Sequence, residues 1–362
     1  MKKLMMLMML LVLSFVLVAC GGSEEGSAPA DGGEGEAPAA EGEAAVDGEF
    51  IMKIAHSAPA QDDKTENSLQ EFKKRVEEAT DGRIVVETYP ASQLGGEREI
   101  LEGTQLGSIE AHSISTGPYP GVFPEIMVLS IPYLFVNKDV AYEVLDGPFG
   151  EKMKELLLEK TGLRLLAWGE NGVRHFTNNT NPIQTPEDMR GISFRTMENP
   201  AHMAMVEALG GSATPIAYGE LYSALQQGVV DGQENPVTNI ASMRFYEVQK
   251  YATLDGHVYD PHLFAVNNAW FESLPEDLQT ILQEEAAAWS DYNRQMSTEQ
   301  DDGAIETMIE AGMEIIELTP EELVPFQEAT QSVHDLIKSE AGEDIYNEIM
   351  AAVEEAEAAV LN

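Results

Sequence analysis

The sequence predicts an α/β protein of two domains spanned by one long helix. Three observations carry this expectation. Short β-branched, strand-like runs alternate with amphipathic helical stretches from about residue 51 onward, the pattern of a parallel or mixed sheet covered on both faces. That alternation restarts after Asn171-Gly172, and the folded body from about Glu49 to Asn362 is long enough for two cores of ordinary size. Finally, helical periodicity is nearly unbroken from Pro275 to about Ala311, a rod of roughly 50 Å that would reach across both domains.

The chain opens with Lys2 and Lys3, an apolar run from Leu4 to Ala19, and Cys20 behind Leu17-Val18-Ala19. This is the layout of a secretory signal (residues 1–19) ending in a lipoprotein cleavage box, so a lipid on Cys20 and a place outside the cytoplasm are expected. The apolar run is shorter than the ~20 residues that span a bilayer, which makes the mature protein anchored rather than membrane-spanning. Residues 21–48 are mostly Gly, Ala, Glu, Pro and Ser, with eight acids and no Lys, Arg or aromatic residue. With Cys20 they form an acidic tether unable to bury enough surface to order itself.

In the body, Ile51 to Ala55 reads as a strand. Leu69, Phe72, Val76 and Ala79 lie at helical spacing, and Asp81-Gly82 turns the chain into the β-branched run Ile84 to Thr88. Glu97 to Leu106 is helix-like and Ile109 to Thr116 strand-like. A loop holding Pro118, Pro120, Pro124 and Pro132 follows, then two helical segments and the run Leu163 to Trp168. The second unit has extended Arg174 to Asn178 and a capped helix start at Thr185-Pro186-Glu187-Asp188. It continues with strand-like Ile192 to Thr196, a helix from Ala201 to Leu209 stopped by Gly210-Gly211, and a short helix from Tyr218 to Gln227. Val237 to Gln249 is expected to be helical, and Thr319-Pro320-Glu321-Glu322 opens a C-terminal helical region.

The totals are 63 acids and 21 bases; without the eight tether acids and the two leader lysines the body stands at about −36. Such a surface excludes nucleic acid and anionic lipid as partners and suits concentrated salt, where self-repulsion is screened. One cysteine in 362 residues leaves no internal disulfide, cysteine metal cluster or thiol nucleophile. The seven histidines show no helical zinc spacing, and no Gly-x-Ser-x-Gly elbow, phosphate-cradling loop or dinucleotide fingerprint is present. Neither cofactor nor metal is therefore expected.

The informative constellation is Val230-Asp231-Gly232-Gln233-Glu234-Asn235-Pro236 with Arg174 and Arg195 upstream. Arg195 ends the apolar run Ile192-Ser193-Phe194, where an α/β sheet presents groups to a crevice, and a guanidinium there can grip a carboxylate with two parallel hydrogen bonds. A surface ion pair is the plainer alternative. Arg174 lies where the chain crosses between domains, suited to a ligand or to a hinge salt bridge. Tyr218, His257 and Trp168 are aromatic candidates for ligand contact, with core packing the competing role.

Read together, Ser92-Gln93-Leu94-Gly95, Asn171-Gly172-Val173-Arg174, Arg190-Gly191-Ile192-Ser193-Phe194-Arg195, Leu221 to Gln227, Val230 to Pro236, Phe245 to Lys250 and Leu274 to Leu278 resemble the solute-binding proteins of tripartite ATP-independent periplasmic (TRAP) transporters, the C4-dicarboxylate-binding family. The resemblance runs from about Lys53 to Phe326. It implies a two-domain, type II-like periplasmic-binding-protein fold with crossing strands and a bracing helix, no catalysis, and a small organic acid held in the interdomain cleft for delivery to a membrane permease. It also implies Arg195 as the carboxylate partner, Arg174 as a supporting cation, Asn235 as a hydrogen-bonding amide and Tyr218 as an aromatic wall, with Ser57, Ser115 and Thr116 at ligand-dependent positions. Since sialic-acid binders tend to carry an acid in the place of Ser115, that ligand is disfavoured. Residues 49–171 with 261–300 are expected to form one domain, and 172–260 with 301–362 the other. A sensory receptor as partner, or a secreted hydrolase, are the alternative readings.

Overall fold

In the computed structural model, which describes residues 48–361, the chain opens with β1 (Phe50–Ala55), α1 (Lys64–Ala79), β2 (Ile84–Tyr89), α2 (Glu97–Leu106) and β3 (Ala111–Ile114). Asp63 caps α1 by accepting from Thr65 N at 2.8 Å, and Leu69, Phe72 and Val76 line its buried face. Gly107, in the left-handed region that favours glycine, closes α2. After two 3-10 turns come α3 (Lys138–Asp146), α4 (Pro148–Thr161) and β4 (Leu163–Asn178). The middle of the chain adds β5 (Ser193–Thr196), α5 (Pro200–Ala208), β6 (Ser212–Pro215), α6 (Leu221–Gln226), β7 (Gly232–Pro236), α7 (Val237–Ser242) and β8 (Tyr251–Asn267). Then follow α8 (Asn268–Ser273), α9 (Glu276–Glu310), β9 (Glu314–Glu317), α10 (Pro320–Ala329), α11 (Gln331–Ala341) and α12 (Glu343–Val360).

All nine strands of the described residues join one sheet, ordered β2-β1-β3-β8-β4-β7-β5-β6, with β9 beside β8. Two parallel groups, β2-β1-β3 and β7-β5-β6, flank the long antiparallel pair β4 and β8. This is a mixed α/β sheet in which the 16-residue β4 and 17-residue β8 cross from one group to the other.

Several expectations need correction. Asn171-Gly172 does not interrupt the chain: Gly172 takes φ +129° at a register shift between β4 and β8, so the strand kinks and runs on. A side chain at Gly172 would place its Cβ 2.9 Å from Pro236 Cβ, so only glycine fits. Residues 251–267, not foreseen as a strand, form β8. The helix expected over Val237 to Gln249 ends at Ser242, because Arg244 adopts φ +56° before a 3-10 turn seats Phe245 in the core. The Thr185 capping box opens only a 3-10 turn, Pro186–Met189, and the Tyr218 segment begins as another.

The 35-residue α9 is the foreseen rod. Its Leu278, Leu282, Ala286 and Trp289 enter a cluster with Phe72 and Phe264, while Ala304 and Met308 enter another with Leu221, Ile240 and Phe245. Phe264 holds Phe72 and Trp289 in edge contacts at 4.9 and 4.8 Å. Apolar burial at both ends thus fixes the rod to both sides of the sheet. Among the C-terminal helices, α12 packs on α3, and α11 on α5 and the 3-10 segment Pro124–Ser130. The signal, Cys20 and the tether lie outside the described residues, among which no helix is long and apolar enough to cross a membrane.

Candidate functional site

The carboxyl ends of β1, β3 and β5 converge where β4 and β7 meet them, and two adjoining cavities of 80 and 20 Å³ open there. Ligands in open α/β sheets collect at this edge because strand ends leave side chains and backbone groups unpaired. Arg195, Glu97, Met197 and Tyr218 line both cavities. The inner one is completed by Ser57, Ser115, Asn171, Arg174, Asn235, Asn239 and His262.

Arg195 is 3% exposed. Its Nε donates to Ile216 O at 2.8 Å, and its Nη1 is buried with no partner among the described residues. Burial lowers its pKa to about 10, against the opposing field of Glu234. It remains a cation at neutral pH, and a desolvated one that an anion would stabilise. Tyr218 presents a second orphan, its buried hydroxyl, which burial keeps neutral by raising its pKa.

Arg174 has no exposed surface and is saturated. Its Nε and Nη2 both reach the Glu234 carboxylate, Nη2 also donates to Glu234 O at 2.6 Å, and Nη1 lies 3.4 Å from Asp260. Burial opposes its charge, but Glu234 and Asp260 outweigh that and raise its pKa. Asn235 donates to Gln233 Oε1 at 2.5 Å, leaving its own side-chain oxygen without a protein donor in that contact. Ser57 and Ser115 hydroxyls both donate to Glu97, the former at 2.9 Å.

Two expected site residues line neither cavity. Thr116 turns its hydroxyl to Asp260 at 2.6 Å. His257 is buried under Phe176, stacked at 4.3 Å, between Asp255 at 3.0 Å and Glu234 at 3.2 Å. Burial lowers its pKa, yet the two carboxylates prevail and raise it to about 9, so it is an imidazolium inside an ion cluster. Trp168 packs in the core.

Sequence reasoning missed Glu97, Asn171, Met197, Asn239 and His262 as lining residues. It also missed Lys64, buried beneath the cavity with Nζ donating to Asn171 O at 2.5 Å, Thr238 Oγ1 at 2.7 Å and Ser297 Oγ at 3.2 Å. Asn171 and Glu97 sit in or beside the motifs that carry the resemblance, whereas nothing local marks His262 or Lys64.

The walls meet at the mouth. Arg98 on α2 approaches Glu198 at 3.4 Å, a Cβ on Gly117 would lie 3.1 Å from Met197, and one on Gly96 would lie 3.8 Å from Ala217. A larger cavity of 450 Å³ near Tyr133, His175 and Asp255 has no Arg or Lys in its lining.

Residues 54–340 match the model of bacterial extracellular solute-binding proteins, family 7. A solute-binding protein of Verminephrobacter eiseniae is 42% identical over 250 residues, covering 69% of this chain and 74% of that protein. The C4-dicarboxylate-binding periplasmic protein of Rhodobacter capsulatus is 34% identical over 311 residues, 85% and 91% of the two chains. Among solved structures, a sugar acid binding protein of Advenella mimigardefordensis in complex with galactonate superposes with a TM-score of 0.82 at 32% identity, covering 84% of this chain and 98% of the other. A TRAP solute-binding protein of Chromohalobacter salexigens with bound D-glucuronate gives 0.80 at 31%, covering 83% and 99%.

Proposed function

Given that this chain belongs to the bacterial extracellular solute-binding proteins of family 7, binding components of TRAP transporters, we propose that it captures a small organic acid in its cleft by pairing the carboxylate with Arg195 and hands it to a membrane permease. It is a transport protein of a two-domain periplasmic-binding fold, not an enzyme, and the hydrolase and receptor readings fall to that membership. One observation carries the assignment of Arg195: a buried guanidinium faces the cavity with Nη1 unpartnered among the described residues. Relatives whose structures hold galactonate or D-glucuronate support a carboxylate as its counter-ion.

Arg174, occupied by Glu234 and Asp260, acts as a supporting charge that also ties the crossing strands together. Asn235 and Tyr218 supply polar contacts, and Ser57 and Ser115 shape the far wall. Thr116 and His257 act behind the cavity, through Asp260 and Glu234. A micromolar dissociation constant needs about −8 kcal/mol, within reach of one desolvated ion pair with cleft hydrogen bonds and burial. Lipidation of Cys20 would hold the protein to the membrane outside the cytoplasm, its acidic tether giving it reach.

A thermal-shift screen of organic acids tests the reading. An acid at 100 times its dissociation constant should stabilise the protein by ~2.7 kcal/mol. A panel of mono- and dicarboxylates, sugar acids and keto acids that leaves the melting temperature unmoved at millimolar concentration would refute it.

A further inference from the structure

Glu97 is a carboxylate in a cleft read as built for carboxylates. It lines both cavities together with Arg195. Its position is fixed: Ser57 Oγ donates to Oε1 at 2.9 Å, Ser115 N approaches Oε1 at 3.4 Å, and the Ser115 hydroxyl donates to Oε2. The serines come from the ends of β1 and β3, so two strand termini hold Glu97 at the start of α2. The cavity therefore has a cationic pole at Arg195 and an anionic pole at Glu97.

We propose that Glu97 determines specificity: the ligand is an organic acid with one carboxylate, for Arg195, and hydroxyl groups on its chain that donate to Glu97, so a C4-dicarboxylate is rejected. The inference rests on the Arg195 reading. A second carboxylate reaching Glu97 would set two anions against each other in a water-poor cleft, an arrangement that costs several kcal/mol and serves to suppress wrong partners. A hydroxyl in the same place replaces lost hydration with a charge-assisted hydrogen bond. Further around the inner cavity, the amides of Asn171, Asn235 and Asn239 combine donors with acceptors, which matches hydroxyls, themselves both donor and acceptor. An ammonium-bearing zwitterion fits less well, because Tyr218 is the one Phe, Tyr or Trp side chain in the lining and a single such ring makes no aromatic cage for a cation.

The test is calorimetric titration of the full chain with galactonate, succinate and serine, the last a zwitterion, followed by the Glu97→Gln variant. The unmodified protein should bind galactonate about 100-fold more tightly than succinate or serine. Glu97→Gln should weaken galactonate about tenfold or more and leave succinate unchanged or tighter, narrowing the ratio. The melting temperature of the variant without ligand checks that it folds, and the comparison among ligands on the unmodified protein stands even if it does not. Succinate or serine binding as tightly as galactonate overturns the inference, as does an unchanged galactonate-to-succinate ratio in the variant. Failure of all three acids to bind at millimolar concentration removes the Arg195 reading as well, whereas succinate binding as tight as galactonate binding and dependent on Arg195 overturns only the role of Glu97.

Discussion

Substituting Arg195→Met separates what this side chain does for the ligand from what it does for the fold. Arg195 is 3% exposed, with one hydrogen bond, to Ile216 O. Burial, only partly offset by Glu234, lowers its pKa from 12.5 to about 10. At 1.36 kcal/mol per factor of ten in proton affinity, the fold disfavours the charged form by about 3 kcal/mol. Methionine keeps the apolar stem and removes that burden, so the variant should melt no lower than the parent without ligand. A bound carboxylate reverses the balance. Losing its buried cation strands it, at ~2 to 5 kcal/mol, or roughly 30-fold to several thousand-fold in affinity. Calorimetry reads this directly. A thermal shift reads it again: an acid at 100 times its parental dissociation constant stabilises the parent by ~2.7 kcal/mol and the variant by less than about 1 kcal/mol. Binding within a few-fold of the parent would refute the clamp. A variant that melts far below the parent without ligand would refute the picture of a desolvated, unsupported cation.

The other predictions test the surroundings. Arg174→Met leaves Glu234 and Asp260 buried without their common cation, so chemical denaturation should show a loss of ~3 to 5 kcal/mol; an unchanged stability with abolished binding would exchange the roles of the two arginines. His257 has a folded pKa of about 9, above the ordinary 6.5, because Asp255 and Glu234 overcome burial. Its charged form therefore contributes stability that is complete below about pH 6.5 and lost as pH rises through 9, up to ~3 kcal/mol. Stability of the parent should fall over that window more than that of His257→Gln, and parallel curves would contradict the assignment. A body near −36 should melt at a lower temperature as salt falls from molar to millimolar, since the Debye length grows from ~3 Å toward 30 Å and repulsion spreads; constant melting across that range would count against a saline habitat.

The legible parts of the fold carry their own punctuation. Glu97 to Leu106 and the α9 rod appear at nearly their final bounds, because a glycine stop after α2, Pro275 ahead of α9 and apolar spacing at both ends of the rod are local properties. The crossing strands are illegible for a physical reason. β8 is buried almost throughout its length on both faces, so it lacks the polar alternation that announces a strand, and Gly256 and Asp260-Pro261 read as loop. In β4, Asn171-Gly172 looks like a turn, and only the partner strands show that the positive φ is a kink. The helix misjudged beyond Ser242 has the correct apolar residues and the wrong backbone, because seating Phe245 takes precedence over helix propensity.

The site divides along the same line. A chain with 55 acids in its body offers no means of singling out Glu97, which acquires its role from Ser57 and Ser115, 40 and 18 residues distant. Arg174 and Arg195 both belong to strand-like stretches in the sequence, yet sheet order separates them. β4 lies between β7 and β8, which bring Glu234 and Asp260 to Arg174. β5 lies between β6 and β7, where Arg195 stands in register with Thr214 and Gln233, both neutral. With neutral residues in register on both sides and the Glu234 carboxylate of β7 taken up by Arg174, Arg195 is left without a hydrogen-bonded counter-ion, and strand order, more than residue type, is what singles it out as the proposed receptor for an anion.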